Sequence, residues 1–348
     1  MRPPFWSVLV LVACGGPDPD TGRETATDSD SPTYFPTTDT GPRTCEIPDD
    51  GEWRILADPV GDGVLFSAWG ATWQEVLMVG GAPGGESGVI LHYTPGEICV
   101  EADSIDAALW WIHGPRKGEW YAVGAHGIVL HDVDGERTRE DIGSDITLYG
   151  VWATDDVVWA VGGDPFTDNS GEIWKRSGGV WTREQDDIDG VPYKVWEGWI
   201  VGDKVAYRIE GDTLVPIVQP DRLLTVRGRN GDEVYAVGGV GNALMKSWSD
   251  DAWTAFDTTG LSPPLSGIWT DAGEDIWVAG LSGLTARWDG AAWEQAIPPV
   301  SLEHFHAAYG NCDEVLFLGG NLLAANDNYG TIVRYGTPKP RITPTICD

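Results

Sequence analysis

Between residues 51 and 336 the apolar positions come in pairs of short runs. Each pair shares one grammar: an apolar run carrying an aromatic, an Asp/Gly-rich turn, then a second apolar run ending in glycine. The clearest copies are LYGVWATDDVVWAVGG (148–163) and LSGIWTDAGEDIWVAG (265–280). LFSAWGATWQEVLMVGG (65–81) and LTVRGRNGDEVYAVGG (224–239) keep the same frame. ALWWIHGPRKGEWYAVG (108–124) and FHAAYGNCDEVLFLGG (305–320) are weaker, and YKVWEGWIVG (193–202) has lost most of its turn. Closing glycines at 80, 124, 162, 202, 238, 280 and 319 mark seven copies. Short runs rich in Val, Ile and aromatics, bounded by Gly and Asp, predict β-strands.

A third run follows each pair: VILHY (89–93), IVLHD (128–132), EIWKR (172–176), ALMKSW (243–248), LTARW (284–288) and TIVRY (331–335). A tight turn then leads to a short fourth run, often opened by Trp, as in GGVW (178–181), DDAW (250–253) and DGAAW (289–293). Four consecutive strands with tight turns make an antiparallel meander. One such sheet cannot bury both faces, so neighbours must stack. Radial closure of four-stranded sheets is the propeller solution. The expected fold is therefore all-β, a seven-bladed β-propeller of four-stranded antiparallel blades.

The seventh copy lacks a Trp-opened fourth strand. GEWRILADP (51–59) matches AAWEQAIPP (291–299) in carrying Trp, a short strand and a late Pro. Residues 53–56 are therefore expected to complete the last blade, so that an N-terminal strand closes the ring and removes its exposed edges.

The closing doublets Gly80-Gly81, Gly162-Gly163, Gly238-Gly239 and Gly319-Gly320 are followed by paired aromatics such as Trp174 with Trp181 and Trp248 with Trp253. In this the chain resembles kelch-like propeller repeats. The turns in WDGAAW (288–293) and SWSDDAW (247–253) resemble a degenerate Asp-box, and the spacing is similar to that of WD-type repeats. The resemblance spans 51–336 and implies architecture, not activity.

The chain start has a different texture. Residues 1–13 hold one Arg, an apolar run from Phe5 to Val12 and Ala13, ahead of Cys14. A run of eight residues is too short for a spanning helix, which needs about 20, and the pattern is that of a secretory signal. Leu11-Val12-Ala13-Cys14 resembles the lipobox of bacterial lipoproteins. That resemblance implies cleavage before Cys14, acylation of Cys14 and anchoring in membrane lipid; Gly15 in place of Asp implies the outer membrane. Residues 14–44 are an acidic Thr/Pro/Asp segment with almost nothing apolar, expected to be a disordered tether. Residues 45–348 form the propeller and its tail. The whole plan is similar to bacterial surface lipoproteins built from propeller repeats.

Charge narrows the partners. With 22 Lys and Arg against 54 Asp and Glu, the net charge is −32, which excludes a nucleic-acid-binding role. Cys45, Cys99, Cys312 and Cys347 remain after Cys14, an even number suited to an oxidising compartment. All four map to one face of the disc near the seam of blades one and seven. Three pairings are open, with Cys45 and Cys347, on the end segments, each favoured to pair with Cys99 or Cys312.

Candidate chemistry is sparse. Most of the 19 Trp recur at fixed repeat positions and are assigned to packing between blades; Trp110, Trp111 and Trp199 fit less well and are better ligand candidates. His92 and His131 share a third-strand slot and read as structural. His304 and His306 sit at i and i+2 on a channel-lining strand, and a His-x-His pair can hold a metal. Arg227 takes a slot that is Trp elsewhere, which makes it a candidate inward cation. Asp164, Asp168 and Glu172 fall in one predicted loop of blade three, and Asp186, Asp187 and Asp189 in the next. A calcium site would need six to eight oxygens from such loops; the default is a solvated acidic rim, and no cofactor is required. No G-x-S-x-G, Walker loop, CxxC or HExxH is present. The expected function is a monomeric, membrane-anchored binding or scaffold module for a protein or glycan. The alternative is a polysaccharide hydrolase or lyase acting at a channel mouth near His304, His306 and Arg227.

Overall fold

The computed structural model describes residues 47–347, apart from 73, 102–103, 167–168, 230–232, 271–274, 312 and 322–327. The expected signal segment 1–13, the tether 14–44 with Cys14, and also Cys45, Cys312 and Asp168, lie outside the described residues.

Seven antiparallel sheets follow one another along the chain. Their first strands are Val64–Thr72, Leu109–Arg116, Thr147–Ala153, Pro192–Trp196, Leu223–Gly228, Leu265–Thr270 and His304–Asn311. Each first strand packs against the first strand of the next sheet, and His304–Asn311 returns to pack against Val64–Thr72. The ring is thus closed, and the first strands surround its central channel. The protein is a seven-bladed β-propeller.

The strand order of blade seven places Glu52–Asp62 outermost, antiparallel to Tyr329–Gly336, with Trp53 opposite Tyr335 and Ile55 opposite Val333. Leu56, Ala57 and Val60 are buried with Phe317, Ile332 and Val333 in one apolar cluster. That cluster runs on to Leu65, Met78 and Tyr93 of blade one and to Trp277 of blade six. Burial of each large apolar side chain there is worth about 1.5–3 kcal/mol, so the seam is a core, not a joint.

Glycine closes the second strands because of backbone proximity. A Cβ on Gly319 would sit 1.9 Å from the His304 carbonyl oxygen, and one on Gly80 would sit 2.0 Å from that of Val64. Beside these glycines, every first strand carries an extra residue that breaks the pairing register. In blade four the turn is reduced to Glu197-Gly198, with φ of 41° and 82°. Two positive φ values in a two-residue loop match the twist of a tight hairpin, which explains the eroded copy.

Two expectations need correction. The segment after Gly336 is more than a tail: Thr345–Ile346 adds a fifth strand to blade one, parallel to Glu97–Val100. In blade three the fourth strand is Val180–Asp189, so Asp186, Asp187 and Asp189 lie on an extended outer strand rather than in a loop. Glu172 likewise lies within the third strand, Ser170–Ser177, while Asp164 ends the second. Two register shifts let the ten-residue strand stay paired.

Candidate functional site

The extra residues of the seven first strands are Phe66, Trp110, Tyr149, Tyr193, Leu224, Ser266 and His306. A bulge re-aims the side chain it inserts, and here the same bulge is repeated around the ring. The result is a belt of rings in mutual contact. Phe66 stacks on Trp110 with centroids 4.1 Å apart, Trp110 meets Tyr149 at 5.2 Å, and Tyr149 meets Tyr193 at 5.3 Å. On the other side the His306 ring stands edge-on to Phe66 at 5.1 Å. Trp110, Tyr149, Tyr193 and His306 all keep part of their surface exposed. Leu224 and Ser266 complete the circuit without a ring.

One residue further along lies Lys194, which is 8% exposed. Its ammonium lies 3.8 Å from the centroid of Trp111 and donates to the carbonyl oxygen of Tyr149. Between these two blades the matching slot is Gly150, which presents no side chain, so the lysine can lie across it. Burial alone pulls the Lys194 pKa down to about 7. Burial also lowers His306, to about 3, with His304 and Lys194 adding to the effect. His306 Nε2 is buried without a hydrogen-bond partner. The Tyr149 hydroxyl is held up, at about 12, chiefly by burial.

A second layer lies three residues beyond the belt, about 10 Å along the strands at roughly 3.3 Å per residue. It holds Trp69, His113, Trp152, Trp196, Arg227, Trp269 and Tyr309, paired in the same register in every blade. His113 stacks on Trp152 at 3.8 Å, and Arg227 lies 4.0 Å over Trp269. Burial, reinforced by Arg227, keeps His113 well below its usual pKa. This layer packs blade against blade: a Cβ on Gly310 would meet the Trp269 indole at 2.0 Å.

The sequence-derived candidates therefore separate. Arg227 does occupy the Trp slot, but it belongs to the second layer, not to the level of His306. The pair His304 and His306 is divided by the bulge after Phe305. His304 Nδ1 accepts a 2.9 Å hydrogen bond from Ser282 N, whereas His306 joins the belt. The trio does not form one mouth. Trp110 and Trp111 fall at the channel as ligand candidates, but Trp199 does not: it is 1% exposed, under Arg208 and against Trp248 and Trp253.

Two acids of blade three, Glu172 and Asp186, are engaged with one arginine. Glu172 accepts from Trp174 Nε1 at 2.7 Å and from Arg183 at 3.1 Å, and Asp186 lies 3.6 Å from the same arginine. Asp164 accepts from Phe166 N. Among the described residues no group of three His, Cys, Asp or Glu side chains comes together in a way that could hold a metal ion. Cys99 is bonded to Cys347, Cα to Cα 5.0 Å, across the added fifth strand. Among the described residues no helix is long and apolar enough to cross a membrane.

A groove of about 1320 Å³ opens on the outer side between blades one and two. Several of its charges pair with one another: Arg137 clamps Glu101 at 2.7 and 3.0 Å, His92 lies 2.7 Å from Glu101, and Arg139 meets Asp106 at 3.0 Å. The channel thus offers the stronger site. The belt and Lys194 escaped sequence reasoning because one inserted residue shifts the alternation. Reading the second and third columns of the aligned hexapeptides LFSAWG, LWWIHG, LYGVWA, PYKVWE, LLTVRG, LSGIWT and FHAAYG shows both.

Neither a protein-family model nor a curated protein matches this sequence. Solved structures do resemble it. YCF48 bound to D1 peptide is 14% identical with a TM-score of 0.60, over 84% of this chain and 99% of that one. The WD40 β-propeller domain of Doa1 is 13% identical with a TM-score of 0.60, over 84% and 99%. YCF48 from Cyanidioschyzon merolae is 13% identical with a TM-score of 0.59, over 83% and 99%. At such identities the likeness is one of fold, and by fold this chain is a seven-bladed propeller with WD40-like neighbours.

Proposed function

We propose that this protein is a membrane-anchored propeller that binds a protein partner, seating a segment of it on the ring belt at the channel mouth. The observation that carries the reading is the circuit from His306 through Phe66, Trp110 and Tyr149 to Tyr193, partly exposed and backed by the buried ammonium of Lys194. Aromatic surface that is rigid and half-solvated is what anchors interfaces. A hydrolase would require two carboxylates converging on the bond to be cut; the channel groups described above are rings and cations. YCF48, which has the same fold, was captured with a peptide, and a peptide segment suits a narrow aromatic mouth better than a broad flat partner does.

Anchoring is the second half of the proposal. Acylated Cys14 and the tether 15–44 would hold the propeller at a membrane, the outer membrane of a bacterium by the lipobox reading, with roughly 0.8 kcal/mol per buried methylene of each chain.

Both halves are testable together. Cross-linking of the full chain in its native cells, compared with a Trp110→Ala, Tyr149→Ala double variant, reads partner capture. Membrane fractionation of Cys14→Ser reads anchoring. Capture lost in the double variant, and a shift of Cys14→Ser to the soluble fraction, support the proposal. Capture indifferent to the belt removes the binding reading, and Cys14→Ser that stays in the membrane removes the anchor.

A further inference from the structure

We infer that the channel binds a carboxylate attached to an apolar or aromatic body, with the acid held between Lys194 and His306 and the body against the ring belt. The inference deepens the binding function proposed above and rests on it.

Lys194 is the odd charge of this molecule. The protein carries a net −32, and the half-buried Lys175 and Lys246 each meet an aspartate, yet among the described residues no Asp or Glu forms an ion pair with the buried Lys194. An ammonium has three donors and no acceptor. One is taken by the carbonyl of Tyr149, and the Trp111 ring covers another side. Burying a charge without a partner costs several kcal/mol, so the site is built to receive an anion.

His306 supplies the second point. It comes from blade seven, whereas Lys194 comes from blade four, and the ring belt links them: His306 meets Phe66, Phe66 stacks on Trp110, and Trp110 meets Tyr149, whose carbonyl accepts from Lys194. Its Nε2 is buried and unpartnered. An imidazole N–H there can donate to the second oxygen of a carboxylate already held by the ammonium. The apolar part of the ligand is set by the neighbours: Phe66 and Trp110 stack, and Tyr149 and Tyr193 follow edge to face. A sulfate or phosphate alone would leave these rings unused, while a neutral aromatic would leave Lys194 unpaired.

Two sources share this chemistry: the free carboxyl end of a polypeptide that finishes in an apolar residue, and a small free arylalkanoic acid. The probes are phenylacetate against phenylacetamide, and a hexapeptide ending in Phe with a free carboxylate against the same peptide amidated. Binding is read by Trp fluorescence and calorimetry on residues 45–348 and on the full chain.

The expected result is that at least one acid binds tenfold or more tightly than its amide. Lys194→Met should abolish that preference, Lys194→Arg should keep part of it, and His306→Phe should weaken it several-fold. Near-ultraviolet circular dichroism verifies that each variant is folded. Preference for the free-ended peptide assigns the ligand to a chain terminus, and preference confined to phenylacetate assigns it to a small acid. Equal binding of acid and amide, no binding of either, or a preference that survives Lys194→Met overturns the inference. Partner capture that survives Lys194→Met but fails in the Trp110→Ala, Tyr149→Ala variant leaves the protein-binding proposal standing without it.

Discussion

Arg334 Nε donates a 2.8 Å hydrogen bond to Glu314 Oε2, and neither side chain reaches solvent: they are 0% and 1% exposed. Both belong to blade seven, and the Tyr93 hydroxyl of blade one donates to the other oxygen of Glu314. Lys339 adds a further contact to the same carboxylate at 3.1 Å. A buried pair of this kind is weak evidence of net stability, but removing one partner strands the other. Glu314→Gln is expected to cost about 3–5 kcal/mol, and Tyr93→Phe about 1–2 kcal/mol. Urea titration followed by Trp fluorescence measures both. A cost below 1 kcal/mol for Glu314→Gln would show the seam to be held by apolar packing alone.

Acid should loosen the contact between blades one and two. Burial opposes ionisation of Glu101, but hydrogen bonds from His92 and Arg137 overcome it and hold the carboxyl at about 2. Its unfolded value is near 4.5, so the unfolded chain binds more protons between these limits. The stabilisation is complete above pH 4.5 and is lost as pH falls toward 2. Glu101→Gln should remove that acid-dependent part, about 2–3 kcal/mol of stability at neutral pH. Melting temperature against pH for both proteins gives the comparison; parallel curves below pH 4.5 would count against it.

The channel has the same pH slope as Glu101, but there the charged form is a cost rather than a gain. Lys194 has a folded pKa of about 7 against 10.5, so the unfolded chain holds more protons between those values and stability rises with pH across that window. His306 behaves alike between about 3 and 6.5, so stability falls as pH drops through that range. Lys194→Met should therefore stabilise the unliganded protein by about 2–4 kcal/mol at pH 6, with the gain vanishing near pH 10.5. A variant that gains stability as it loses acid binding would show strain kept for function. Unchanged stability at pH 6 would show that the amine is solvated.

The outer strand of blade seven gives a fourth test. Leu56 is 1% exposed in the seam core, and Leu56→Ala should cost about 2–5 kcal/mol. If residues 52–62 complete the blade, hydrogen exchange in 329–336 should accelerate in this variant. Exchange unchanged there would place the strand outside the blade.

Cys347→Ser provides the fifth. It releases a two-residue strand from Glu97–Val100 while seven sheets remain paired. The expected result is a tryptic cut after Arg341 with the ring intact, at a cost of about 2–4 kcal/mol or less. Loss of cooperative unfolding would mean the bond holds the seam as well.

How far the sequence could be read follows from what repeats. The blade count was legible because the glycine that ends each second strand is fixed by a backbone clash, as Gly319 against the His304 carbonyl shows. Arg227 was legible as the exception in a Trp column. The belt was not, because Phe66 and its six counterparts are the residues a strict alternation of faces cannot accommodate. Nor were the struts between blades. Glu101 with Arg137 and Glu140 with Arg176 lie 36 residues apart, nearly one whole repeat, so nothing local marks them as partners. The acids of blade three looked like loop ligands because the sequence could not reveal that Arg183 would hold Glu172 and Asp186 along one extended strand.

The pairing of Trp53 with Tyr335 sets the order of events in the life of the chain. Among the described residues the first strand finds its neighbour only when the twenty-eighth has formed, so six blades must wait with one apolar flank uncovered until the last is complete. Assembly is therefore vectorial but its completion is all-or-none, with slow, non-local docking as its final act. It also means that a ring linked covalently between Tyr329–Gly336 and Glu52–Asp62, and reopened between two other blades, would end in a conventional final strand.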